Sequence, residues 1–259
     1  MGRKTELHLY PVSIYELVKF NGFNWLNVSH NLENLLIFGG YPQILTTDSL
    51  EAKQKVITEL ASSYLFKDIL SLDKIKNSLT LNNLLKMLAL QLGSEVSLNE
   101  LATSLGIDGK TVARYLDLLE KAFVIFRLTG FSGNLRKEIS KKHKYYFYDL
   151  GIRNAVIKNF NPLNLRSDVG ALWENFCIVE RKKYLSYTNK SVNSYFWRSW
   201  EGQEIDLVEE SGGKLNTFEF KFSSKKTPRI PKSFATAYPN HTYKVITPDN
   251  ILEFLASPK

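Results

Sequence analysis

Apolar residues recur every three or four positions through the first half of the chain, which is the spacing of amphipathic helices. Ile57, Leu60 and Tyr64 fall on one face of such a run, and similar runs precede and follow it. The pattern predicts helices over residues 32–38, 50–70, 81–92, 98–105 and 110–121. The first half is therefore expected to be mostly helical.

The beginning of the chain has a different pattern. Residues 7–12 form a short apolar run typical of a strand, and Ser13 with Glu16 has the spacing of a capping box that opens a helix. The sequence predicts a strand that leads directly into this helix.

The helices at 98–105 and 110–121 form a pair. Ser97 and Glu100 give the first a capping box, and a turn at Gly106 separates it from the second. Two strand-like runs, at 123–126 and 144–147, follow the pair. A helix, a short glycine turn, a helix and two strands together predict a winged helix-turn-helix.

Period-two alternation of apolar and polar residues dominates the second half, as in strands. Gly212-Gly213 between two alternating runs is a signal for a two-residue hairpin. The pattern predicts a helix over 168–185, a strand over 195–198, two hairpin strands, a last strand over 243–246 and a final helix over 249–255. This order of elements predicts an α/β core.

The predicted hairpin brings charged residues face to face. If the Gly-Gly pair forms the turn, Asp206 lies opposite Glu219, and Glu204 lies opposite Lys221. Opposed Cβ atoms are roughly 4.5–5.5 Å apart, so the two carboxylates repel each other. A lysine, or a hard cation such as Mg²⁺, would relieve this repulsion. The pattern predicts a Mg²⁺ or Mn²⁺ site at Asp206 and Glu219 with Lys221 beside it.

An acid on a helix (Glu174), an aspartate on a strand (Asp206) and Glu219-x-Lys221 on the next strand resemble the PD-(D/E)XK, or restriction-endonuclease-like, nuclease superfamily. The resemblance implies that Asp206 and Glu219 hold Mg²⁺. It also implies that Lys221 orients or activates the attacking water, with Glu174 or Glu204 assisting.

The resemblance leaves two functional readings open. Ile205 stands before Asp206, where the superfamily's name has a proline. The same fold is often kept as a binding scaffold after catalysis is lost, and a Glu–Lys pair on an exposed strand face is usually a solvated pair.

A second resemblance covers nearly the whole chain. The segments that carry it are Gly2-Arg3, Leu9-Tyr-Pro-Val-Ser13, Glu16-Leu17, Gly39-Gly-Tyr-Pro42, Tyr145–Arg153, Leu172–Phe176 and Glu204–Asp206. They resemble the C-terminal part of a bacterial and archaeal AAA-type ATPase family. In that family a P-loop domain precedes a domain of unknown function with a nuclease-like core, which implies a P-loop ATPase domain as partner in full-length relatives.

We expect no ATP site in this chain. Gly109-Lys110-Thr111 is its one Gly-Lys-Thr sequence, but Ser104 stands where the first glycine of a Walker A loop belongs. The segment also lies between two predicted helices rather than after a strand. The chain is expected to be a fragment of a longer protein or a shortened relative, without ATPase activity of its own.

The resemblances and the predicted elements together give the expected fold and domains. The fold class is α/β (α+β), with a mostly helical N-terminal half. Residues 1–45 are assigned to the end of an ATPase domain and a linker, 46–158 to a helical region with the winged helix-turn-helix, and 159–259 to a restriction-endonuclease-like domain.

Composition narrows the choice of partner and compartment. The net charge of +8 over 259 residues favours an anionic partner such as nucleic acid. The single cysteine, Cys177, excludes an internal disulfide framework, and the four histidines lack the spacing of a zinc site. Because no apolar stretch is long enough to span a membrane, we expect a soluble cytoplasmic protein.

If the second helix of the pair reads DNA, its exposed side chains should include Lys110, Thr111, Arg114 and Tyr115. Phosphate contacts are expected from Arg136, Lys137, Lys141, Lys142 and Arg198. Winged helices also serve as packing or protein-contact modules, and a solvated basic loop is the alternative.

Two hypotheses therefore stand. In the first, the C-terminal domain is a Mg²⁺-dependent nuclease. In the second, the chain is a non-catalytic DNA- or protein-binding or regulatory arm of an ATPase. The acidic strand pair would then be held by Lys221, Arg198 or Arg181.

Overall fold

The computed structural model describes residues 8–21, 25–72, 78–132, 143–223 and 228–256. Their helices are α1 (Ile14–Asn21), α2 (Trp25–Phe38), α3 (Pro42–Leu45), α4 (Leu50–Leu72), α5 (Ser78–Leu90), α6 (Leu98–Leu105), α7 (Gly109–Lys121), α8 (Leu150–Ile157), α9 (Val169–Tyr187), α10 (Lys232–Ala237) and α11 (Ile251–Ala256). Their strands are β1 (Glu95–Val96), β2 (Ile125–Gly130), β3 (His143–Phe147), β4 (Asn193–Arg198), β5 (Glu204–Ser211), β6 (Lys214–Phe220) and β7 (His241–Ile246). The chain is a mixed α/β protein with a mostly helical N-terminal half, as predicted.

The seven strands form one mixed sheet in the order β1-β3-β2-β4-β5-β6-β7. Two pairs, β2–β4 and β6–β7, are parallel, and the other four are antiparallel. Because β2 pairs with β4, the sheet continues from the predicted helix-turn-helix region into the predicted nuclease-like region.

The hairpin between β5 and β6 has the predicted register. Leu207 lies opposite Phe218, and Ser211 lies opposite Lys214. Gly212 and Gly213 form the turn with φ of 58° and 75°. Glycine adopts two consecutive positive φ angles without the steric cost of a side chain, so the turn fixes the register of the whole hairpin.

Helix starts also follow the predicted caps. Ser13 N–H donates to Glu16 Oε2 at 2.9 Å, and Glu16 N–H donates to Ser13 Oγ at 3.2 Å, which completes a capping box for α1. Ser97 Oγ accepts from Glu100 N–H at the start of α6, and Gly106 ends that helix with φ 63°.

The strand predicted over 7–12 is wrong for its described part. Residues 8–13 have no strand structure. Val12 N–H instead donates to the carbonyl of Gly40 at 2.8 Å, and Ile14 N–H donates to Glu180 Oε2 at 2.7 Å. These partners lie in a loop and on a helix, so the segment does not extend the sheet.

Helix α9 packs on the sheet and is buried along most of its length. Asn175 fixes its position on β3, because Asn175 Oδ1 accepts from Phe147 N–H at 2.8 Å and Asn175 Nδ2 donates to Phe147 O at 2.9 Å. The indole of Trp173 is fully buried and donates to Ile246 O on β7. These contacts fix α9 on the sheet at the residues on either side of Glu174.

Neighbouring residues of β4 pack into two different apolar clusters. Phe196 belongs to the large cluster that includes α9, whereas Trp197 belongs to a smaller cluster with Phe234 of α10. Successive strand residues point to opposite faces, which explains the division.

Within the described ranges, no helix combines the length and the apolar character that crossing a membrane requires.

Candidate functional site

Acidic side chains from α9, β5 and β6 converge where α9 packs on the sheet. Glu174 comes from α9, Glu204 and Asp206 from β5, and Glu219 from the end of β6. The ladder between β5 and β6 ends at the pair Leu207–Phe218, directly next to Asp206 and Glu219 in the two strands, and the charge of Glu219 acts on Asp206.

Asp206 and Glu219 have different hydrogen-bond partners. Asp206 is only 8% exposed, and its Oδ2 accepts from the backbone N–H of Phe220 at 2.8 Å. Glu219 accepts from Lys221 Nζ at 2.7 Å. The predicted lysine therefore lies beside the predicted carboxylate pair.

The pairing of Glu204 with Lys221 is wrong. Glu204 lies opposite Arg198 on β4, and the backbone ladder between β5 and β6 ends at Leu207. The Asp206 carboxylate accepts a hydrogen bond from the N–H of Phe220, and the N–H of Lys221 donates to Ile246 O on β7. The strands thus separate before Glu204 reaches Lys221.

Lys144 is a central residue of this site that sequence reasoning missed. Its side chain is 1% exposed on β3 and forms ion pairs with Glu174, at 3.1 Å, and with Glu204. The hydroxyl of Tyr146, two residues along the same strand, donates to Glu174 at 2.6 Å. A lysine within a run of buried aromatic residues, Lys-Tyr-Tyr-Phe, was the available signal.

Burial and like charge raise the pKa values of two acids. Burial, opposed by Lys144 and reinforced by Asp206, raises the pKa of Glu174 to about 7. Burial, together with the charge of Glu219, raises the pKa of Asp206 to about 6. Strongly perturbed carboxyls within one cleft are typical of functional sites.

The pKa values of the two lysines are also raised, but by neighbouring carboxylates and against the effect of burial. Burial alone would lower the pKa of Lys144, but Glu174 and Glu204 outweigh it, so this pKa is raised. Burial would likewise lower the pKa of Lys221, but the hydrogen bond and the charge of Glu219 outweigh burial, so this pKa is also raised. Both lysines are therefore cationic at neutral pH.

A cleft of about 950 Å³ opens beside these residues. Glu174, Asp206 and Lys221 line one part of it. The remaining lining includes apolar side chains from α2, the segment after α8, the start of α9 and the segment after β6, namely Leu32, Pro162, Leu163, Val169 and Phe222. Glu174, Asp206 and Lys221 thus face a space large enough for a small ligand.

The donor set suits a hard divalent cation with few protein ligands. Four carboxylates and two lysines leave a net charge of −2 when all are ionised. In the described part of the chain, no group of three or more His, Cys, Asp or Glu side chains is arranged to hold a metal alone. Mg²⁺ commonly binds through one or two carboxylates, with water and substrate phosphate completing its shell. Asp206 and Glu219 fit that mode.

The two arginines proposed to hold the acidic pair contact other carboxylates. Arg181 is buried against Glu209, with two hydrogen bonds of 2.8 Å, and also donates to Phe254 O. Arg198 lies 3.8 Å from both Glu95 and Glu204. Arg198 therefore belongs to the rim of the acidic cluster.

The predicted DNA-contacting side chains of α7 are only partly available. Lys110 and Arg114 are exposed, with the Arg114 guanidinium 5.5 Å from the Tyr115 ring centre. Thr111 donates its hydroxyl to Asp108. Tyr115 is 4% exposed, so its assignment as an exposed contact is wrong, because it faces the core beneath α7. Arg136, Lys137, Lys141 and Lys142 lie outside the described residues.

Most of the chain matches the sequence models of two known families. Residues 29–163, more than half of it, match the sequence model of a family described as a domain of unknown function (DUF8612). The chain belongs to the DUF8612 family. Residues 169–256 match a second domain of unknown function, DUF4143, which is commonly found in AAA-ATPase-associated proteins.

The relatives are longer than this DUF8612 chain. It is similar to the uncharacterized protein Rv2008c of Mycobacterium tuberculosis, at 31% identity over 225 residues, covering 86% of this chain and 50% of the relative. An uncharacterized protein of Haemophilus influenzae is 23% identical over 262 residues, covering 97% and 57%. The uncharacterized protein MJ1544 of Methanocaldococcus jannaschii is 24% identical over 205 residues, covering 71% and 46%.

The chain thus spans about half the length of the curated relatives it matches. No solved structure matches it significantly.

Proposed function

We propose that the cleft beside α9 is the site of Mg²⁺-dependent phosphodiester hydrolysis, built on a PD-(D/E)XK core. The observation that carries the proposal is the shared lining of one cleft by Glu174, Asp206 and Lys221, with Glu219 bonded to Lys221. A helix acid, a strand aspartate and a Glu-x-Lys strand meet there in three dimensions.

Each side chain has a defined part in this proposal. Asp206 and Glu219 would hold the cation, which when bound polarises the phosphate and lowers the pKa of bound water. Lys221 stays protonated because its pKa is raised, so it orients water or phosphate as a donor rather than accepting a proton. Glu174, held by Lys144 and Tyr146, supports the same end of the cleft.

The remaining expectations belong to the same proposal. The unit made of α6, α7 and the antiparallel strands β1, β3 and β2 would be a winged helix-turn-helix that contacts nucleic acid through Lys110 and Arg114. The match to DUF4143 and the greater length of the relatives support a P-loop ATPase domain as partner in longer proteins of this kind. A cytoplasmic location follows from such a role.

A second candidate function is a non-catalytic regulatory arm of an ATPase. Lys144 favours it, because this buried lysine already satisfies Glu174 and Glu204 without any metal. In that case the raised pKa values reflect a stable internal ion cluster and not a reactive site.

A cleavage assay separates the two candidates. The full chain is incubated with single-stranded, nicked and duplex DNA and with RNA, in Mg²⁺, Mn²⁺ or EDTA. Lys221→Ala is compared with Lys214→Ala, an exposed lysine at the other end of β6. Metal-dependent cleavage that Lys221→Ala removes and Lys214→Ala retains supports the nuclease. No cleavage by the unmodified chain in either metal contradicts it.

A further inference from the structure

One wall of the cleft is apolar, which a site for duplex phosphates does not require. Leu163 and Pro162 contribute from the segment after α8, and Phe222 follows Lys221 directly. The ring of Phe222 is half-buried and packs edge-on to Trp173, with ring centres 5.9 Å apart. Trp173 is itself anchored on β7, so Phe222 is held in place.

Polar groups lie on the same lining. Glu33, Asn164 and Ser223 are exposed there, although Glu33 already accepts from Leu163 N–H at 3.0 Å. A cleft with apolar walls and a few polar groups is the usual form of a site for a small, flat, partly polar group. Its volume of about 950 Å³ lies within the range of such sites.

Duplex nucleic acid presents phosphates and sugars on its outside, and its base faces are stacked inside. An apolar wall and an aromatic ring gain nothing from that surface. An unpaired base exposes a flat face that stacks on aromatic side chains regardless of its sequence. Enzymes also draw a single base out of a duplex into a pocket of this kind.

We infer that the apolar wall beside Phe222 receives an unpaired nucleobase, so that the substrate is a strand that is single-stranded or locally unpaired next to the reacting phosphate. This inference rests on the proposed function, because Lys221 and Asp206 define where that phosphate lies. It adds the class of substrate to that function.

Binding is measured without cleavage. A short DNA strand carrying 2-aminopurine is offered as a single strand, as a matched duplex, and as a duplex in which the 2-aminopurine is unpaired. Ca²⁺ serves as the divalent ion with oxygen ligands. Affinity is read from fluorescence anisotropy and base stacking from quenching of 2-aminopurine.

We expect the single strand and the unpaired duplex to bind at least tenfold more tightly than the matched duplex, with quenching. Phe222→Leu keeps an apolar side chain on Trp173 but removes the flat face, so it should lower affinity for the unpaired strands about tenfold, within the range for one base stack. Leu163→Ser, in the same apolar wall, should also weaken binding of the unpaired strands. Trp200→Ala is the control, since Trp200 is fully exposed in the β4–β5 turn and does not line the cleft.

The outcomes distinguish this inference from the proposed function. Equal affinity for matched and unpaired duplex, or a loss in Trp200→Ala without a loss in Phe222→Leu, overturns the inference. Metal-dependent cleavage of matched duplex as fast as of single strands also overturns it, while leaving the nuclease intact. A preference for unpaired strands that depends on Phe222, without any cleavage, supports base binding and contradicts only the nuclease.

Discussion

Replacing Lys144 with methionine tests the charge balance of the site. Lys144 lies between Glu174 and Glu204 with almost no exposure to solvent. Methionine keeps an unbranched apolar stem of similar length but removes the ammonium group. The variant therefore leaves two carboxylates, one of them well buried, without their cation.

The expected loss follows from the cost of an unpaired buried charge. Removing one partner of a buried ion pair typically costs about 3–5 kcal/mol of unfolding free energy. For a chain of this size, each kcal/mol corresponds to roughly 2–4 °C in Tm. A decrease on the order of 10 °C is therefore expected at pH 8.

The loss should depend on pH with a definite sign. The pKa of Glu174 is about 7 when folded and 4.5 when unfolded, so the folded state binds more protons between these values. Stability of the unmodified protein therefore falls as pH rises through this window. Without Lys144 the pKa of Glu174 rises further, so the variant is penalised most above pH 7. The pKa of Lys144 itself is raised, so the lysine remains charged throughout this range.

Urea unfolding at pH 5 and pH 8, followed by tryptophan fluorescence, measures both effects. Lys121→Met is the control, because Lys121 forms an exposed pair with Asp117 and should change stability by about 0.5 kcal/mol or less. A loss in Lys144→Met that is equal at the two pH values, or no larger than in Lys121→Met, would refute this reasoning.

Three further predictions concern stability. Arg181→Met should cost about 3–5 kcal/mol in urea unfolding, because it leaves Glu209 buried and unpaired, and Arg181→Met combined with Glu209→Leu should recover most of that loss; no recovery in the double variant would contradict the ion-pair explanation. Gly151→Ala should destabilise the protein strongly, because the added Cβ would meet the carbonyl oxygen of Phe38. Gly170→Ala has open space around it and should be neutral or stabilising by up to about 1 kcal/mol. Equal Tm values for these two variants would count against the close contact of Gly151 with Phe38. Asp206→Asn should raise stability at pH 8, on the order of 1 kcal/mol, because it removes repulsion from Glu219 while its side-chain oxygen can still accept from the backbone, and a lower urea midpoint would show that repulsion is not the cause.

Local signals explain what the sequence predicts well. The Gly-Gly turn determines the register of the β5–β6 hairpin, and the capping serines mark the starts of α1 and α6. Each feature depends on residues only a few positions apart. For the same reason Asp206, Glu219 and Lys221 could be placed together before the fold was known.

Lys144 shows what local signals cannot give. It follows a basic segment, so it reads as a solvated charge, and its acidic partners come from α9 and β5. The packing of α9 through Asn175 brings Glu174 to β3. The strand pairings β2–β4 and β4–β5 bring Glu204 into the same sheet. The end of the β5–β6 ladder could not be predicted from local signals either, because the Asp206 side chain, rather than a backbone carbonyl, accepts from Phe220 N–H there.

Equilibrium binding of Mn²⁺ tests the central claim most directly, by electron paramagnetic resonance of the free ion or by calorimetry. We predict one class of site in the unmodified chain that competes with Mg²⁺ and is lost in both Asp206→Asn and Glu219→Gln. Glu210→Gln, on the same strand as Asp206 but bonded to Asn193, should retain it. Binding that is absent from the unmodified chain, or unchanged in Asp206→Asn and Glu219→Gln, would contradict a metal site at these carboxylates.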